Sequence, residues 1–166
     1  MRNWEYTEGI LPWTKTCFVC GEDNPHGLQE RSRVEGDRVV LTHVTRVEDL
    51  GYRHLVHGGI SMTLLDEVMT WAGILTFKRA CVAAELTVRL HRPIQAGQSI
   101  RVEGWIVSAK SRLVATEGRI VDEQLGVLAM AVGKYVPMPG DGLHLCLNDF
   151  VESPEALQLP FLKGKG

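Results

Sequence analysis

Between positions 82 and 136 apolar and polar residues alternate, the period of strands with one face buried. The cleanest run is Val82, Ala84, Leu86, Val88 and Leu90, interleaved with Ala83, Glu85, Thr87, Arg89 and His91 and stopped by Pro93. Gln95-Ala96-Gly97-Gln98 turns into a strand carrying Ile100, Val102 and Ile106. Ala109-Lys110-Ser111 turns into Leu113 to Val121, and Asp122-Glu123-Gln124 into Leu125 to Val136. Connections this short favour antiparallel neighbours. An earlier alternating stretch, Leu28 to Val47, is either one strand or a hairpin folded at Glu35-Gly36-Asp37. In the middle, Gly58 to Phe77 switches period: Ile60, Leu64, Val68, Trp71 and Leu75 recur at helical spacing. The opposite side of that helix carries Met62, Asp66, Met69, Thr70 and Gly73, without the Lys or Arg of a solvated face. The helix is therefore expected to be covered on both sides, by its own sheet and by another subunit. The pattern predicts an α+β fold: one long helix against a twisted antiparallel sheet.

The alternation stops at Pro137. Residues 1–137 read as a single domain with a turn-rich N-terminal segment, and 138–166 as a tail that either packs back or frays. A chain of 166 residues, 45% hydrophobic and 23% charged, is long enough for one real core. A net charge of −2 gives no pull toward nucleic acid or an anionic membrane. No uninterrupted apolar run suggests a membrane span, and residues 1–6 lack a secretion pattern, so a cytoplasmic location is expected. Four cysteines are too few for a disulfide scaffold. Cys17-x-x-Cys20 is half of a zinc site; His144 and Cys146, which would complete it, lie far along the chain, so no metal is expected. The residues from Cys20 to Gly27 read as a turn.

The candidate chemistry gathers at the helix. His57-Gly58-Gly59 opens it, where the first N–H groups lack internal partners and the helix dipole favours negative charge. Glycines there let a ligand approach the backbone. Asp66 and Glu67 follow about two turns in. Asp66, on a face without other charge, is the expected working carboxylate. Glu67 is the second candidate, expected instead to pair with a strand residue such as Arg89. His57 is expected to orient the loop, and His43, His54 and His91 to lie on the surface. Met62, Met69 and Trp71 suggest an adaptable apolar pocket. Lys110 and Arg112, on a turn, are placed to meet phosphates.

Three segments resemble the hotdog-fold acyl-CoA thioesterases of the phenylacetate-pathway (PaaI) type. They are Cys17-Phe18-Val19-Cys20-Gly21 with Asn24-Pro25-His26-Gly27-Leu28; Gly51-Tyr52 with Val56-His57-Gly58-Gly59 and Leu64-Leu65-Asp66-Glu67; and Ala84-Glu85-Leu86-Thr87-Val88 with Arg92-Pro93. The resemblance implies a five- to six-stranded antiparallel sheet wrapped around a central helix. It also implies a homodimer or homotetramer with active sites at the subunit interface, an acyl-CoA substrate, and no cofactor beyond the coenzyme A of that substrate. It assigns the oxyanion donor to the Gly58 N–H, and the general base or nucleophile to Asp66, nine positions after His57. Gly59, Met62 and Thr70 on the helix are expected to line the substrate site. Relatives often place a Ser or Thr early in the following strand; Ala83 stands there, and Thr87, expected on the same face, is a substitute. The alternatives on the same fold are a non-catalytic acyl-CoA-binding protein and, ranked last, a dehydratase.

Overall fold

The computed structural model describes residues 4–163, the side chains at 141, 144 and 145 excepted. Helix α1 spans Gly58–Phe77. It lies against one antiparallel sheet made by β1 (Glu8–Ile10), β3 (Arg33–Glu35), β4 (Arg38–Val44), β5 (Cys81–Leu90), β6 (Ser99–Lys110), β7 (Leu113–Val121) and β8 (Val127–Pro137), in the order β1-β3-β4-β6-β7-β8-β5. The long strands are those the alternation predicts, and the short β1 and β3 extend the sheet at one edge. The early stretch is a hairpin: Glu35 pairs with Arg38 across Gly36-Asp37, with Gly36 at φ 63°, a backbone shape glycine adopts without steric cost.

The helix sits close to the sheet because glycines lie beneath it. A Cβ at Gly104 on β6 would lie 2.9 Å from the Val68 backbone, one at Gly118 on β7 2.9 Å from Met69 Sδ, and one at Gly133 on β8 2.8 Å from Met69 Cε. Gly104 and Gly118 are direct partners across the β6–β7 ladder. Leu65, Val68 and Met69 thus press onto bare backbone and are fully buried. Burying such side chains is worth about 1.5–3 kcal/mol each.

The Trp71 side of α1 is covered by this chain's own two ends, while Met62 stays exposed and Asp66 half-buried. Strand β2 (Trp13–Thr14) pairs with β9 (Phe150–Val151). The tail is tied on by Lys15 N–H to Asp149 O at 2.8 Å and Leu157 N–H to Ile10 O at 2.8 Å. Phe150 meets the Trp71 ring edge-on, with centroids 5.7 Å apart. The tail therefore packs over the domain; its last residues, 164–166, lie outside the described ones. By length and composition α1 is apolar enough to cross a membrane, yet 56% of that apolar stretch is buried between these layers.

Strand β5 holds a second departure from the expected pattern. Its register slips between Ala83 and Glu85, and a bulge of one residue switches which positions face inward. Before it, Ala83 opposes the buried Tyr135; after it, Thr87 opposes the exposed Val132. Ala83 and Thr87 therefore lie on opposite faces of the sheet, not the same one.

A buried polar cluster fixes the approach to α1. His43 is fully buried, not on the surface: its Nδ1 meets Glu30 at 2.9 Å and its Nε2 meets Asp49 at 2.8 Å. Asp49 also accepts from the Arg46 backbone at 2.7 Å, and its own carbonyl accepts the His57 N–H at 2.8 Å. Burial alone works against a charged His43 ring, but the Glu30 and Asp49 hydrogen bonds outweigh it and raise its pKa above 6.5. Burial works against Asp49 too, and hydrogen bonds from Arg46 and His43 outweigh it, lowering that pKa below 3.8.

Two predictions follow from this packing. Gly104→Val drives a side chain into the backbone of α1 and should cost about 1–3 kcal/mol in urea unfolding, whereas Gly140→Ala, which meets nothing within 4 Å, should change stability by under about 0.5 kcal/mol. The polar cluster should also make stability depend on pH. A raised folded-state pKa means that the folded chain holds the His43 proton longer than the unfolded one, so this contribution is full below 6.5 and lost as pH climbs through the raised value. Asp49 contributes above 3.8 and loses its share as pH falls through its lowered value. The fall in urea midpoint on the alkaline side should flatten in His43→Gln.

Candidate active site

The His57 backbone, held by Asp49, has the extended conformation of a helix cap (φ −63°, ψ 132°), and its Nδ1 accepts the Gly59 N–H at 2.9 Å. A Cβ on Gly59 would come within 2.8 Å of that ring, so the second glycine makes room for the cap. The histidine thus orients the loop, and one of the first N–H groups of α1 is satisfied. The Gly58 N–H finds no acceptor among the described residues. It is half-buried at the positive end of a twenty-residue helix, a setting that attracts an anionic or polarised oxygen.

Asp66 is half-buried on the side of α1 that meets β8. Its Oδ1 accepts from the Tyr135 hydroxyl at 2.8 Å and from Thr70 Oγ1 at 3.5 Å. Its Oδ2 has no partner among the described residues, which leaves one oxygen fixed and one free. Burial, then the neighbouring Asp66 charge, push the Tyr135 hydroxyl far above its usual range, and the same two causes push the Cys81 thiol up to about 12. Both neighbours therefore stay protonated, and Tyr135 can only donate.

Glu67, one residue on, turns about 100° around the helix into different surroundings. It is buried against the N-terminal segment, accepting from Trp71 Nε1 at 2.9 Å with Cys17 Sγ 3.8 Å away. It does not pair with Arg89, which is exposed on the outer face of β5 opposite Met130. Burial, then the Cys17 charge, push the Glu67 carboxyl up to about 8. Cys17 is lowered to about 6, chiefly by the hydrogen bond from the Cys20 thiol. The two groups oppose each other's ionisation at this distance.

The remaining expected residues are distributed. Met62 is exposed near the start of α1, and Ala83 sits on the inner face directly opposite Tyr135. Thr87 is on the outer face, away from Asp66. Lys110 and Arg112 are exposed on the β6–β7 turn, at the end of the sheet where Val114 pairs with Tyr135. Trp71 and Met69 are core residues, not lining for the Asp66 side. The His144 side chain lies outside the described residues. Tyr135 is the functional candidate that sequence reasoning missed. Its signal is the inward series Ala129, Ala131, Gly133, Tyr135 on β8, where one large hydroxyl-bearing side chain follows three small ones.

Residues 54–129 match the thioesterase superfamily. No curated protein sequence matches the chain. Among solved structures, the chain is similar to the E. coli PaaI protein from the phenylacetic acid degradation operon, at 22% identity and TM-score 0.63, over 68% of this chain and 82% of that one. A thioesterase superfamily protein is 26% identical with TM-score 0.65, over 72% of this chain and 59% of the other, so the match spans less than two thirds of that relative. A Streptococcus mutans UA159 protein, solved bound to acetyl CoA, aligns at 14% identity and TM-score 0.59 over 80% and 90%. The chain has the hotdog fold, and residues 54–129, which carry the helix cap, Asp66 and most of the strands after them, match the thioesterase superfamily.

Proposed function

We propose that this chain hydrolyses an acyl-CoA thioester, with the Gly58 N–H as oxyanion donor and Asp66 as the catalytic carboxylate. The observation that carries this reading is a helix-terminal N–H and a carboxylate oxygen that both lack a partner among the described residues, the carboxylate's other oxygen being pinned by Tyr135. The carbonyl oxygen takes the Gly58 N–H, and charge developing there is stabilised by a preorganised dipole. Asp66 Oδ2 takes a proton from water as the water adds to the carbonyl carbon, or adds to that carbon itself and is then freed by water. In either case the carbon–sulfur bond breaks and the electron pair leaves on the CoA thiolate.

Eight residues of α-helix separate Gly58 from Asp66, a rise of about 12 Å. A reacting carbonyl must lie about 3 Å from its donor and within one water of its base. Both groups of one chain cannot reach one carbonyl, so each site takes Gly58 from one copy and Asp66 from another, and the working unit is a homo-oligomer. The long, exposed edge of β5, with Val82 and Leu90 uncovered, supports a second copy beside it.

The missing hydroxyl at Ala83 has a physical substitute. Its cross-strand partner is Tyr135, whose hydroxyl already holds Asp66. This favours turnover over passive acyl-CoA binding. Lys110 and Arg112, exposed on the β6–β7 turn, supply positive charge to the CoA phosphates in this reading.

CoA release from a panel of aryl- and alkyl-acyl-CoAs tests the proposal. Wild type should turn over at least one of them, and Asp66→Asn should lose roughly a hundredfold or more. Unchanged turnover in that variant would sink the assignment, and tight binding without turnover by wild type would favour a binding protein. Tyr135→Phe frees Asp66 from its fixed donor and should lower kcat about tenfold or more with KM little changed. Replacing both Lys110 and Arg112 by Ala should instead raise KM and leave kcat in place.

A further inference from the structure

Spacing alone leaves Cys17-x-x-Cys20 as half of a metal site; the fold supplies another donor. Cys17 Sγ, Cys20 Sγ and a carboxylate oxygen of Glu67 lie within 4.8 Å of one another. The loop carrying the thiols is tightly constrained. The Val19 N–H donates to Cys17 Sγ at 3.3 Å, the Gly21 N–H to Cys17 O at 3.0 Å, and the Thr14 N–H to Cys20 O at 2.9 Å. A Cβ at Gly21 would lie 2.2 Å from Cys17 O, so only glycine permits this return of the chain. A backbone N–H aimed at a cysteine sulfur favours the thiolate, the form that binds metals.

Glu67 brings an independent observation. It is buried, and its partners among the described residues are the Trp71 indole N–H and Cys17, with no Lys, Arg or His in ion-pair range. A buried carboxylate without a cationic partner is costly. The thiols beside it are acidic groups too, so nothing in the cluster offsets negative charge.

We propose that Cys17, Cys20 and Glu67 bind a divalent transition-metal ion of the zinc type, with the fourth position left to water on the side of the cavity bordered by Trp71, Cys146 and Phe150. Sulfur donors exclude the hard cations magnesium and calcium, which take oxygen ligands. Metal–ligand bonds of about 2.0–2.3 Å in a tetrahedron place donors about 3.3–3.8 Å apart, and Cys17 Sγ already stands 3.8 Å from Glu67 Oε2. The remaining donors need close by less than an ångström or so. Loading releases the thiol protons to solvent. The ion would clamp the N-terminal segment onto the middle of α1, next to Asp66 but around the helix from it.

The full chain, purified under reducing conditions, is titrated with zinc and with cobalt. The site predicts one tightly held ion per chain, a thiolate-to-cobalt charge-transfer band, and a thermal midpoint that rises with free metal. Cys17→Ser should abolish the charge-transfer intensity expected of two thiolates and weaken binding roughly a hundredfold or more, beyond the 10–100-fold typical of losing a ligand's supporting group. Glu67→Gln, the same size without charge, should weaken binding while keeping the thiolate band. Absence of stoichiometric metal binding by the reduced wild type overturns the proposal. So does a Cys17–Cys20 disulfide whose reduction restores no metal affinity. Full affinity in Glu67→Gln overturns the assignment of the carboxylate donor.

Discussion

The contact on which the rest of the molecule depends is that of Val68 and Met69 with the bare backbone of Gly104, Gly118 and Gly133. Larger residues at those positions would hold α1 further from the sheet. Tyr135 would then no longer reach Asp66 from β8, and the two end segments could not close over the helix's far side. A helix so apolar that its composition alone would suit a membrane is stable here because the sheet and the chain's two ends bury most of its apolar surface, leaving the Asp66 side partly open. Interior packing tolerates few voids, so the depth of that contact fixes the position of everything mounted on α1.

What is mounted on it is sorted by helical geometry. Asp66 and Glu67 are adjacent in sequence but differ by about 100° around the axis. One meets a hydroxyl on β8 and keeps an oxygen free, and the other is sealed against two thiols and an indole. The same functional group thus takes two roles by environment, the carboxylate at the partly open face suited to moving a proton and the enclosed one to holding structure. The helix N-terminus is fixed separately, through His43, Asp49 and the His57 cap, so its free N–H is aimed by the β4 side of the fold rather than by the glycine contact.

Much of this could be read in the residues. The change of hydrophobic period gave α1 its limits, Gly58 and Phe77, and the alternation located the four long strands after it. The His57 cap follows from a polar side chain placed before two glycines. Other features depend on contacts that no local pattern encodes. The bulge after Ala83 moved Thr87 to the outer face, because one inserted residue reverses a period of two. His43 looked like any strand histidine until Glu30 and Asp49 closed on it. The cover that the chain's ends lay over Trp71 has no sequence signal, because those segments, short and turn-rich, carry little periodicity with which to announce that they pair. Tyr135 and the meeting of Cys17 with Glu67 are long-range contacts between elements whose spacing in sequence carries no signal.

The central claim is that one thioester is held between Gly58 of one copy and Asp66 of another. It is tested by mixing two inactive chains. Gly58→Pro removes the N–H while suiting the first helical position, and His57 already has the extended conformation that precedes proline; Gly58→Ala, which keeps the N–H and meets the same Leu90 methyl, is the control. After joint dissociation and reassembly, Gly58→Pro and Asp66→Asn chains should regain about a quarter of wild-type turnover, the statistical share of intact sites in a two-fold dimer. Turnover no higher than that of either variant alone, from a mixture shown to contain hetero-oligomers, would contradict it.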